Sequence, residues 1–138
     1  MASEINIQAS VILQRSTIGL QAADTLPRDQ TPGTKGLSTN VTVAANSDAT
    51  GTLISVGFNI GYLYVKNLDT SPQASTKDVS LSLVAWNSAS PNQGPQVFAR
   101  LRSSEFCLIP LCSLNRQQFY ARSEIASTIA IQIVAIEQ

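Results

Sequence analysis

Histidine is missing from this chain of 138 residues. That removes the commonest general base and the commonest metal ligand, so Ser-His, Cys-His and His-containing zinc schemes are all excluded. Charge is scarce as well: charged residues are 13% of the chain, against ~25% in an ordinary globular protein. Nine basic and nine acidic residues cancel. The basic ones are scattered, and only Arg100 and Arg102 stand close together in a strand-like run. Without a basic patch or stripe, nucleic acid is not an expected partner. No stretch reaches the ~18 consecutive apolar residues of a membrane helix, so no membrane partner is expected either. The opening Met1-Ala-Ser-Glu4 has neither the basic start nor the apolar run of a secretory signal. That suggests synthesis in a cytosol, where disulfides are rare. The two cysteines, Cys107 and Cys112, are accordingly expected as reduced, buried thiols.

Phosphate-binding and nucleophile motifs are also lacking. Gly33 and Gly36 bracket Thr34-Lys35 without making a phosphate loop. No serine stands in a Gly-x-Ser-x-Gly elbow. Carboxylate pairs such as Asp69 with Asp78, or Glu105 with Glu124, lie near polar loops and read as solvated turn acids. Asp48 and Asp69 lack the converging oxygen ligands that calcium needs. The triplet Asn40-Val-Thr42 reads as a chance match to a glycosylation acceptor. The expectation is therefore no catalytic residue, no metal and no cofactor: a chain that is not an enzyme.

What is present is hydrophobic residue in quantity, 43% of the chain, arranged with period two. Ile5, Ile7, Ala9, Val11 and Leu13 alternate with Asn6, Gln8 and Ser10, Ile12 being the exception. Residues 37–43 alternate with a slip at Thr39. Val79, Leu81, Leu83 and Ala85 line one face of another run. Residues 53–58 and 61–68 are more continuously apolar, as strands covered on both faces can be. Short strands are expected at 97–101 and 106–111. Residues 123–136 carry isoleucines at both helical and strand spacing; β-branched side chains lose rotamer freedom in helices, which favours a strand over about 128–136. One helical turn fits 18–23. Turn chemistry separates the runs at 26–33, 46–51, 69–72 and 87–95, all rich in Gly, Pro, Asn, Asp and Ser. Strands at such intervals predict an all-β fold: an antiparallel β-sandwich or jelly-roll-like barrel of about eight strands, in a single domain over 1–138. Residues 1–14 form an extended N-terminal strand or arm in this reading.

Several residues suit contact with another protein. Tyr62 and Tyr64 share one strand face, and Leu63 and Val65 the other. If Leu63 and Val65 point to the core, the tyrosine face needs a cover, or serves as a stacking platform for a sugar or a single strand. Trp86 is either an interface anchor or a seal at the end of the core. The first strand, with Ile5 and Ile7, either pairs inside the chain or adds to a neighbour's sheet edge. Loops 24–36 and 87–95, the latter with Pro91 and Asn92, are further contact candidates.

Four segments carry a resemblance. Met1-Ala-Ser-Glu-Ile-Asn-Ile-Gln-Ala9 opens the chain, and Gly61-Tyr-Leu-Tyr-Val-Lys-Asn-Leu-Asp69 forms its centre. Leu101-Arg-Ser-Ser-Glu-Phe-Cys-Leu-Ile-Pro110 and Ile129-Ala-Ile-Gln-Ile-Val-Ala-Ile-Glu137 follow. Taken in this order, they resemble small all-β virion structural proteins of tailed bacteriophages, of the capsid decoration or cement kind. Where that family carries a glycine in the turn before the Glu-Phe pair, this chain has Ser103-Ser104. The resemblance implies a virion structural role as a β-sandwich or jelly-roll-like module; the expectation built on it is a decoration protein on the capsid surface, a homodimer or homotrimer, with the phage's major capsid protein as partner. It implies no catalytic residues. A tail or baseplate component and a carbohydrate-binding module are the alternative expectations.

Overall fold

A computed structural model describes the backbone of residues 3–15, 18–30, 35–72, 77–86, 96–111 and 116–137, and the side chains within the last four of these spans. The chain divides into two compact units, Met1–Thr34 and Lys35–Gln138. No helix occurs among the described residues.

The first unit is a hairpin of β1 (Ser3–Arg15) and β2 (Ile18–Gln30), antiparallel from Ser3 opposite Gln30 to Arg15 opposite Ile18. The N-terminal strand thus pairs within its own chain. Two expectations are corrected here. Residues 18–23 are strand, not a helical turn, and residues 26–30 continue that strand instead of turning. Pro27 does not break it because each strand of a two-stranded ladder is an edge, where a missing backbone donor is tolerated.

The second unit is all-β. Its strands are β3 (Gly36–Val43), β4 (Thr52–Ser55), β5 (Ile60–Asn67), β6 (Val79–Ser82), β7 (Val97–Leu101), β8 (Phe106–Pro110), β9 (Gln118–Ser123) and β10 (Ile129–Glu137). They form two four-stranded antiparallel sheets, in the orders β3-β10-β5-β8 and β4-β9-β6-β7. First pairs with last, second with second-last, and so inward to the adjacent β6 and β7. That is a long hairpin rolled up into a sandwich, the jelly-roll arrangement.

Period-two burial explains why these residues make these strands. In β10, Ile129, Ile131, Ile133 and Ala135 are buried, and in β5 so are Leu63 and Val65. From the facing sheet come Ile54, Val79, Leu81, Leu101, Phe119 and Ala121, all in the same hydrophobic cluster. Truncating a fully buried aromatic such as Phe119 would cost about 3–5 kcal/mol.

Strand limits differ from the sequence reading by a residue at several ends, β4 stops at Ser55 where the apolar run continues to Phe58, and two differences are larger. β6 stops at Ser82 although the alternation runs on to Ala85. The Ser82 hydroxyl bonds both the N–H of Val84 (3.2 Å) and its carbonyl (2.7 Å), a local turn that competes with the ladder. β9 was not expected at all: its inward residues are Phe119, Ala121 and Ser123, too little apolar alternation to stand out.

One polar junction ties the ends of the two sheets. Asn67 is fully buried. Its side-chain amide donates to the carbonyls of Lys77 (2.7 Å) and Leu101 (3.3 Å), and its oxygen accepts from the N–H of Asp69 (3.0 Å). Asp69 accepts in turn from the hydroxyls of Ser103 and Ser71 and the N–H of Ser71.

Candidate functional surface

The register of the β3-β10-β5-β8 sheet fixes which residues face away from the core. Leu63 lies opposite Ile109 and Ala135, and Val65 opposite Cys107 and Ile133; these positions turn inward. The alternate positions make three outward rows. Pro110, Tyr62, Ile136 and Gly36 form the first, Leu108, Tyr64, Val134 and Ser38 the second, and Phe106, Lys66, Gln132 and Asn40 the third. The surface grades from polar along β3 to apolar and aromatic along β5 and β8.

This is the largest run of outward apolar residues among the described parts of the molecule. Phe106 is 62% exposed and Leu108 38%, with Pro110 also exposed and Tyr62 and Tyr64 half-buried. The Tyr64 and Phe106 rings lie 5.7 Å apart, tilted by 32°, within the range of favourable aromatic pairs. On the other sheet, exposed Leu53 and Val97 sit on β4 and β7, the two opposite edges, and form no patch. Scattered apolar residues of that kind are ordinary; a contiguous patch marks a contact surface. Within the described residues β8 pairs only with β5, so its far side is an open edge as well.

Tyr62 and Tyr64 therefore lie on the face that the alternation assigned to them. Trp86 lies elsewhere. It is 5% exposed yet outside the main hydrophobic cluster. Its backbone N–H donates to the Thr50 carbonyl (3.0 Å), its ring lies against Gly51, and the Arg122 guanidinium sits 4.8 Å from the ring centroid. Its surface is thus taken up within the chain. Ile5 and Ile7 stand in β1, opposite Arg28 and Leu26. Pro91, Asn92 and the loop 87–95 lie outside the described residues, as do Cys112 and part of loop 24–36. Phe106 and Leu108 were read from sequence only as part of a short strand. Their even-numbered alternation with Pro110 was the available signal, but placing them beside the tyrosines takes the β5–β8 pairing.

Several of the remaining polar groups are engaged locally, while Asp78 Oδ1 and Arg122 Nε are buried without a hydrogen-bond partner. Hydrogen bonds, first from Ser103, hold the Asp69 carboxyl down at about 2. Asp78 pairs with Arg100 at 3.1 Å. Glu105 accepts from the Arg102 N–H at 2.9 Å. Bonds from the backbone and side chain of Thr50 pull Asp48 below its ordinary value. Cys107 is a free thiol, half-buried, and burial pushes it up from its ordinary value, which makes it a poor nucleophile at neutral pH. Among the described residues no three His, Cys, Asp or Glu side chains gather as a metal site.

What this surface offers chemically is a broad, weakly charged area of apolar and aromatic side chains. No family model, no curated protein and no solved structure matches the chain.

Proposed function

We propose that this chain is a virion structural protein of a tailed bacteriophage, a capsid decoration protein that binds between major capsid subunits and stabilises the head. It acts by surface contact, without catalysis or cofactor. The observation that carries the reading is the exposed apolar and aromatic face of the β3-β10-β5-β8 sheet. A face of that kind gains free energy by being covered, at roughly 25 cal/mol per Å² of apolar area removed from water. The jelly-roll order supports the reading because capsid modules are among the proteins that use it. Low charge content suits a module whose surface is shared with neighbours. On a symmetric lattice, repeated attachment multiplies modest single contacts.

A second reading, a carbohydrate-binding module, draws on the Tyr64–Phe106 pair as a stacking platform. Sugar sites also need placed polar groups, and here the neighbours of the pair across the strands are Leu108, Val134 and Lys66, a single cation among apolar side chains.

Antibody against the purified chain, applied to particles from its source and viewed by electron microscopy, tests the proposal. Decorated heads are expected. Labelled tails would move the chain to the tail or baseplate, and unlabelled particles would remove it from the virion. Specific retention on a glycan array, lost in Tyr64→Ala, would favour the sugar reading.

A further inference from the structure

We propose that the outer face of the β3-β10-β5-β8 sheet is covered by a second copy of this chain, in a face-to-face homodimer. The twofold axis would run across the strands at the row holding Leu108 and Tyr64. The inference rests on the reading of this face as a contact surface and assigns it to a second copy, so that the capsid is met by the pair and not by this face.

Charge is the first argument. Across the three outward rows only Lys66 is charged. A face with so little charge sets up little repulsion against a second copy of itself. An isologous contact asks only that the surface complement itself. A twofold axis across the strands keeps each strand over its own copy and exchanges the first row for the third. Lys66 then meets Tyr62 of the second copy, and Phe106 meets Pro110. The cation comes over an aromatic face, a favourable pairing. The two Lys66 residues stand at opposite ends of the contact, about 13 Å apart along the strands, beyond a Debye length at physiological salt. Leu108 meets Leu108 at the axis. Sheets that stack with their strands aligned in this way are a standard packing mode.

Area is the second argument. Four strands spaced at about 4.8 Å and some seven residues long give a footprint of roughly 450 Å² per copy. Two footprints reach roughly 900 Å², before the relief of the side chains is counted, close to the ~1,000 Å² that a specific interface needs. The dimer should therefore form in the micromolar range, with Kd roughly 1–100 μM.

Sedimentation equilibrium of the full chain tests this, with thermal melts of each variant as a check on folding. The wild type is expected to dimerise in that range. Leu108→Asp sets two like charges against each other at the axis and should weaken pairing at least about a hundredfold. Phe106→Ser should weaken it about tenfold. Because Phe106 is 62% exposed, its truncation leaves the core intact, and it decides the matter alone if Leu108→Asp does not fold. A wild type that stays monomeric to about 1 mM, or a dimer that folded Phe106→Ser leaves unchanged, overturns the inference. A monomer found on labelled heads would sink only the pairing; a dimer absent from every particle would sink only the virion reading.

Discussion

Ser104 and Gly51 both hold the backbone at positive φ, 66° and 77°, and they fail in opposite directions. Ser104 occupies a conformation that favours glycine, in a turn closed by the Glu105 N–H on the Arg102 carbonyl (3.1 Å). Ser104→Gly relieves that strain, worth about 1 kcal/mol, but removes a hydroxyl bond to the Asp69 carbonyl (3.1 Å). A small net gain, up to about 1 kcal/mol, is expected in denaturant titration. Gly51 has no such freedom to change: a Cβ there would meet the Trp86 ring at 2.8 Å and the Ala121 carbonyl at 3.2 Å. Gly51→Ala should cost about 2 kcal/mol or more in the same titration and disturb Trp86 fluorescence. Asp69 adds a dependence on pH. Its carboxyl sits at about 2 in the fold against an ordinary 3.8. A depressed folded value means the ionised form stabilises the fold: the contribution is complete above the ordinary value and is lost as pH falls toward 2. Asp69→Asn should flatten the stability-against-pH curve between roughly pH 4 and 2, read by urea melts across that window.

At the level of strands, the buried Asn67 is the sharpest test of how the two sheets are joined. It satisfies two carbonyls from residues outside its own strand. Asn67→Leu fits the apolar surroundings but leaves those carbonyls without a donor, and a loss of about 2–4 kcal/mol is expected by chemical denaturation. Much of the strand pattern was legible in the sequence where alternation was strong. β1 and β3 carry enough period-two apolar residues to announce themselves, β5 stands out as a more continuous apolar run, and β10 has isoleucines at both helical and strand spacing, with β-branching tipping the reading to a strand. β9 was hidden because its inward Phe119 and Ala121 are flanked by Gln118 and Arg122, with Tyr120 apolar enough to blur the alternation. β2 was misread because Ala22-Ala23 and Pro27 look like turn or helix when the pairing with β1 is unseen. β6 was overextended because the Ser82 turn is a side-chain effect that hydrophobic pattern does not register. Half of the outward apolar face was also readable. The opposition of Tyr62 and Tyr64 to Leu63 and Val65 marks an outward tyrosine row from local order alone. The half contributed by Phe106 and Leu108 depends on β8 lying beside β5, a pairing between residues far apart in sequence.

Taken whole, the second unit is a jelly roll with a well-filled interior, one sheet carrying its apolar residues singly at its edges and the other carrying them as a continuous outer face. Many of its polar groups are used in turns and in the junction between sheets. The central claim is that this outer face is buried when the protein does its work. Hydroxyl-radical footprinting of the chain in dilute solution and in its native particles tests that most directly, residue by residue. Phe106, Leu108 and Tyr64 are expected to be oxidised in the dilute chain and protected in the particle, while exposed Leu53 and Val97 serve as references. Equal oxidation of Phe106, Leu108 and Tyr64 in both states would contradict that claim.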